Sequence, residues 1–147
     1  EFQEADIVVW VNPISPLQTS DEIRRIVEYF MEKDLDSLIT VENKQVHTLF
    51  EGSPVNYDAN ETFAQTQDLS PVKPFVYSVM MWKSSVFMDK FKRDNHALFC
   101  GKFDTYEVNK MSSLIIKNKE DLLMIDSIMR SKELSSNEIE YDQIIYE

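Results

Sequence analysis

Glycine is almost missing from this chain. Its 147 residues include only Gly52 and Gly101, far apart, so no glycine-rich loop can gather backbone N–H groups around a phosphate. A P-loop and a dinucleotide-binding fingerprint are both excluded. Cysteine is down to Cys100. That rules out an internal disulfide framework and a cysteine-rich metal site, and it points to a reducing, cytoplasmic compartment. Beside Phe99, the thiol reads as a small buried hydrophobe rather than a nucleophile. No run approaches the roughly 18 to 20 apolar residues that cross a bilayer. The opening Glu1-Phe2-Gln3-Glu4-Ala5-Asp6 has neither the basic flank nor the apolar core of a secretory signal. Asn60-Glu61-Thr62 therefore reads as an accidental glycosylation triplet. Opening without Met is what a processed, truncated or excised piece would show.

Positive charge is scarce too: 15 Lys and Arg against 26 Asp and Glu give a net charge of −11, which argues against a nucleic-acid binder. The imbalance is uneven. Residues 83–119 carry eight bases and four acids, a local +4, leaving −15 for the rest. Such a sector either faces a phosphate or sugar-acid ligand or is a solvated charged surface. Length, 43% hydrophobic residues and 28% charged residues fit one globular domain with a real core.

The stretch that organises the chain is Ile7-Val8-Val9-Trp10-Val11 followed by Asn12-Pro13-Ile14-Ser15-Pro16-Leu17. Five β-branched or aromatic residues are too few for a helix and fit a parallel strand buried on both faces. Pro13 and Pro16 then enforce a stiff turn. A helix follows, with Ser20 as its expected N-cap, Asp21 and Glu22 in the first turn, and Ile23, Ile26, Val27, Phe30 and Met31 as an apolar stripe. Residues 37–41 read as a second strand, so the opening is a βαβ unit, expected to be right-handed and parallel. Ligands of such folds sit at the carboxyl ends of the strands, which makes Asn12 to Gln18 the candidate site.

Further on, residues 46–50 alternate weakly, as an antiparallel partner would. His47 has no second ligand at metal spacing and reads either as a strand residue or as a catalytic base; His96 reads as a loop residue. Residues 55–73 form a long polar loop. Residues 75–82 read as a second buried strand. Residues 84–91 read as a short helix, 97–103 and 105–108 as a strand pair, and 112–117 as a strand end. Asn118 and Asp121 form a capping box before a helix whose apolar face is Leu122, Leu123, Ile125, Ile128 and Met129. The expected division is an α/β domain over residues 1–132 and an acidic tail, 133–147, either flexible or a last helix capped by Asn137.

Val11-Asn12-Pro13-Ile14-Ser15-Pro16-Leu17-Gln18 resembles the Leu-Gln-Pro-Thr-Ser-Pro-Leu-Arg signature of the acylneuraminate (CMP-sialic acid) cytidylyltransferases, and a looser likeness runs over residues 5–130. The resemblance implies a Rossmann-like, glycosyltransferase-A-like nucleotidyltransferase: a mixed sheet flanked by helices, here without the family's N-terminal nucleotide-binding half. It implies CTP and a nonulosonic-type sugar acid as substrates, a CMP-sugar and pyrophosphate as products, Mg²⁺ as cofactor, and a homodimer through residues 46–74. Asn12, Pro13, Ser15 and Gln18 would line the sugar and nucleotide site, with Gln18 where the family has Arg. Gln67, in Gln67-Asp68-Leu69 before Pro71, would be a further ligand contact, or else a surface amide. Tyr77, Ser78 and Val79 stand where the family carries an Asn-Gly-Ala-like run. Ile115 and Lys117 replace the two acids of its Asp-Ile-Asp metal motif, although Asp121 keeps the frame. Mg²⁺ needs oxygen ligands that neither side chain has. Lys117 would at most bring a point charge to a phosphate. The alternative is a catalytically inactive sugar- or protein-binding module on the same scaffold.

Overall fold

A computed structural model describes residues 6–60 and 65–135. Its longest strand, β5 (Phe75–Lys83), is apolar enough to occupy the middle of a sheet, and it does. On one side β5 pairs antiparallel with β1 (Ile7–Val11) and on the other with β2 (Ser37–Val41), while β2 pairs parallel with β6 (Phe103–Glu107), giving the order β1-β5-β2-β6. The fold is thus α/β with a mixed sheet. β1 and β2 run in the same direction, joined by α1 (Ser20–Glu32), but β5 lies between them. The βαβ expectation therefore holds for direction and not for adjacency.

Alternation along the strands sorts the apolar side chains onto two faces. Leu38, Val79 and Met81 meet Ile26 and Phe30 of α1, together with Leu35, Val76 and Val108. On the opposite face Ile39, Met80, Trp82 and Cys100 pack beneath Val86 and Phe87 of α2 (Ser84–Asp94). Burial pushes the Cys100 thiol up, in keeping with a packing role. The Cys100 N–H and carbonyl are both held by the buried Ser37 hydroxyl, at 3.0 and 2.7 Å.

Several sequence expectations are corrected here. β1 is not buried on both faces: Val8, Val9, Trp10 and Val11 are 40 to 50% exposed, because β5 takes the central place and leaves β1 at the edge. The N-cap of α1 is Thr19, not Ser20; its hydroxyl accepts the Glu22 N–H at 3.3 Å. Residues 46–50 do not join the main sheet. Instead β3 (Leu49–Phe50) folds onto β4 (Ser53–Pro54) through Glu51 and Gly52, both with positive φ. The expected strand pair over 97–108 is the single strand β6, preceded by a loop that packs Ala97 and Cys100 inward. Residues 112–117 are a turn and irregular loop rather than a strand end. The capping box of α3 (Lys119–Ser135) forms as read, with Asp121 N–H on Asn118 Oδ1 at 2.9 Å and Asn118 N–H on Asp121 Oδ2 at 3.2 Å. The tail beyond Ser135 lies outside the described residues.

The ladder between β2 and β5 is broken by a bulge: Ile39 lies opposite Met80, but Val41 opposite Phe75. The displaced backbone includes Tyr77 at φ 59°, a conformation glycine adopts far more readily than tyrosine. Thr40 fills the gap. Its buried hydroxyl accepts the Val79 N–H at 3.1 Å and lies 3.0 Å from both the Val79 carbonyl and the Ser78 hydroxyl. Bulges of this kind recur beside functional sites, where they re-aim side chains.

Candidate functional site

β1, β2 and β6 all end at the same edge of the sheet, and β5 begins there. The loops leaving that edge make the candidate site. The last rung of β1 is the Asn12 N–H on the Ser78 carbonyl, 2.8 Å. Two turns follow in succession, closed by Ser15 N–H on Asn12 O and by Gln18 N–H on Ser15 O, at 3.3 and 3.1 Å. Pro13 and Pro16 each stand second in their turn, where a fixed φ is an advantage. The Asn12 side chain braces the first turn by accepting the Ile14 N–H at 3.3 Å. The prolines are exposed, whereas Ser15 and Leu17 are buried.

The corner is fastened to the loop after β6, about a hundred residues away in sequence. Ile116 donates its N–H to the Ile14 carbonyl at 2.8 Å. Glu22, only 3% exposed, accepts three bonds: from Gln18 Nε2 at 2.6 Å, from the Asn109 N–H at 2.7 Å and from Asn109 Nδ2 at 2.8 Å. The other end of the Asn109 amide accepts the N–H groups of Met111 and Ser112 at 2.8 and 3.0 Å. Glu22 therefore ties the N-terminus of α1 to residues 108–118. A carboxylate at that end of a helix is electrostatically favoured, and burial makes its partners obligatory.

Two polar atoms at the corner, Ser15 Oγ and Gln18 Oε1, are buried without a hydrogen-bond partner among the described residues. Buried polar groups are nearly always satisfied, so this pair is hydrogen-bonding capacity for a water or a ligand hydroxyl.

Of the residues the sequence singled out, Asn12, Pro13, Ser15 and Gln18 form one continuous corner. Lys117 lies one residue beyond the Ile116 tether, exposed, with its N–H on Asp121 Oδ2 at 2.9 Å. Gln67 sits apart from these bonds, in a 3₁₀ turn, Thr66–Asp68, where Gln45 Nε2 holds its carbonyl at 3.3 Å. His47 stacks edge-on against Tyr57. Ile115 packs against the apolar core on the α1 face. With one side chain in the core and the other a cation in solvent, Ile115 and Lys117 do not fit Mg²⁺. Among the described residues no group of three or more His, Cys, Asp or Glu side chains is placed to hold a metal ion. Glu22 and Asn109, which matter most to the geometry, carried no signal beyond an acid in a first helical turn and an amide in a polar loop.

Among the described residues, three of the eight bases of the basic sector are engaged with acids. Lys83 pairs with Asp34 and Asp36, while Lys90 and Arg93 pair with Asp94. Asp94 is held well below the usual carboxylate range by the Arg93 guanidinium and then Lys90. Nearer the core, the Tyr29 hydroxyl donates to Asp104 Oδ2 at 2.7 Å. That bond raises the Tyr29 pKa. For Asp104, burial pushes upward most, but the Tyr29 hydroxyl and the Thr105 N–H together leave it lowered. The signs follow from linkage. The tyrosine contribution is full below its unfolded pKa near 10 and is lost as pH rises through the folded value. The aspartate contribution is present above its unfolded pKa near 4 and is lost as pH falls through the folded value. Tyr29→Phe is therefore expected to lower stability between about pH 5 and 9 and to flatten both flanks of the pH–stability curve, as measured by urea unfolding across pH.

No protein-family model matches this chain, and no curated protein matches it either. Among the described residues no helix is long and apolar enough to cross a membrane.

Proposed function

We propose that this chain is part of a cytidylyltransferase-like protein that activates a sialic-acid-like sugar acid with CTP, giving a CMP-sugar and pyrophosphate. The observation that carries this reading is the 2.8 Å tether from Ile116 to Ile14. The resemblance treats the double-proline corner and the strand-to-helix junction near residue 117 as parts of one pocket, and these segments are neighbours in space. In this reading Asn12, Ser15 and Gln18 offer hydrogen bonds to the sugar acid and nucleotide, Gln67 is a further ligand contact, and the scaffold is Rossmann-like. The protein pairs through residues 46–74, where Leu49, Phe50 and Val55 are exposed. The chemistry is attack of a sugar hydroxyl on the α-phosphorus of CTP, which depends on positioning and charge neutralisation. The test is pyrophosphate release from CTP by the complete gene product with sialic acid, ketodeoxyoctonate and related acids. Turnover with one of them is expected; none with any would remove the reading.

A second reading, a catalytically inactive sugar- or protein-binding module, is favoured by one observation: the two positions matching the metal acids are an isoleucine packed on the core and an exposed lysine. Calorimetry with CTP, with and without Mg²⁺, separates the two. Tight Mg²⁺-dependent nucleotide binding counts for the enzyme, and sugar-acid binding indifferent to Mg²⁺ counts for the module.

A further inference from the structure

Among the described residues four non-glycine positions have positive φ, and three of them explain themselves. Asp34 follows the C-cap of α1, Glu51 turns the hairpin of β3 and β4, and Asn95 caps α2. Tyr77, at φ 59°, lies inside the central strand, where an aromatic residue gains nothing locally from that conformation. Such outliers persist only where the surroundings impose them, and they gather at ligand sites.

What the bulge achieves can be read from the faces of β5. Counting back in twos from Met81 and Val79, which face α1, Tyr77 would enter the same core. The extra residue gives that place to Val76 and turns Tyr77 to the opposite face. There its ring meets Phe75 edge-on at 5.7 Å between centroids, and Phe75 meets Phe99 at 5.8 Å. α2 covers this face around Ile39, Met80, Trp82 and Cys100, whereas the three rings stay 36 to 45% exposed. Asn12 leaves β1 on the same face, two residues after Trp10, whose ring lies 6.5 Å from that of Trp82. Its N–H is held by Ser78, the next residue after Tyr77. The strained backbone therefore delivers an aromatic side chain to the rim of the corner.

Residues 12–18 and the three rings carry no charge, and Ser15 Oγ and Gln18 Oε1 lack hydrogen-bond partners among the described residues. A sugar ring answers both features, with an apolar C–H face for the aromatic ring and hydroxyls for the neutral polar groups. Phosphates and carboxylates call for cations that this surface lacks. We propose that Tyr77 is a specificity-determining residue of the candidate site: its ring stacks on the C–H face of the sugar, Asn12, Ser15 and Gln18 take hydroxyls, and the sugar carboxylate points away from the corner. This rests on the proposed sugar-acid ligand but not on the transfer chemistry.

Calorimetric titration of the complete gene product with sialic acid, ketodeoxyoctonate and CTP tests it, together with urea unfolding of Tyr77→Gly, Tyr77→Ala and Tyr77→Phe. Tyr77→Gly is expected to bind the sugar acid at least about fivefold more weakly than wild type, with CTP affinity unchanged, and Tyr77→Phe to stay within about twofold. Because glycine relaxes the positive φ, the urea midpoint of Tyr77→Gly is expected above that of Tyr77→Ala. Sugar binding as tight in Tyr77→Gly as in wild type would overturn the proposal. So would a loss of CTP affinity in place of sugar affinity, a Tyr77→Gly midpoint at or below that of Tyr77→Ala, or a wild type that binds neither acid. Sugar binding without pyrophosphate release would remove the enzymatic reading and leave this one standing.

Discussion

Glu22→Ala is expected to cost about 3 kcal/mol of folding stability and to loosen the loop at residues 109–112 beside the corner. The figure follows from what the carboxylate holds. Three donors converge on it within 2.6 to 2.8 Å, and a hydrogen bond to a charged group contributes about 1.5 to 3 kcal/mol. The full sum is not expected, because Asn109 is itself exposed and its stranded donors partly rehydrate. Loss of a negative charge near the start of α1 adds about 0.3 to 1 kcal/mol. Glu22→Gln keeps one acceptor but turns an amide NH₂ toward donors, so about half the loss is expected. Urea unfolding gives the stability. Amide exchange at Met111 and Ser112, held by the Asn109 side chain, is expected to quicken while exchange in β5 changes only by the global loss. An Ala variant within about 0.5 kcal/mol of wild type would mean that the junction is held by the Ile116 tether alone.

What the sequence revealed and what it hid divide along a physical line. Local signals came through: the two proline turns, the capping box of Asn118 and Asp121, and the composition of β1, α1, β2, β5 and α2 all depend on neighbours in the chain. Non-local pairings did not. Five apolar residues can be a central or an edge strand, and only the insertion of β5 between β1 and β2 decides it. The stretch over residues 97–102 is rich in strand formers, yet it runs as a loop. Ser37 binds the Cys100 backbone there, and Gly101, at φ 55°, comes so close to the Asp36 carboxylate that a Cβ would collide with it. Glu22 shows the same limit at the candidate site. Its hydrogen-bond partner Asn109 lies 87 positions away, a pairing no helical pattern encodes.

Phe30→Ala is expected to cost about 3 to 5 kcal/mol, while Met31→Ala is expected to stay within about 0.5 kcal/mol of wild type. The apolar periodicity of α1 includes both residues in one stripe, and the structure separates them: Phe30 is 1% exposed and Met31 58%. Phe30 sits in the cluster with Leu38, Val79 and Met81. Those three belong to strands whose ladders restrain their movement, so the space left by a phenyl ring cannot collapse and the cavity term is retained. Urea midpoints with an unchanged denaturant slope would register this as a stability change alone. Combining Phe30→Ala with Glu22→Ala then asks how the helix is docked. Eight positions at 1.5 Å each separate them by about 12 Å along α1, beyond the range in which independent sites couple, so their losses are expected to add to within about 0.5 kcal/mol. A double variant more stable than the sum by over about 1 kcal/mol would show that α1 detaches as a unit once either end is released. In that case the corner at residues 12–18 is positioned by the core as much as by its own polar bonds.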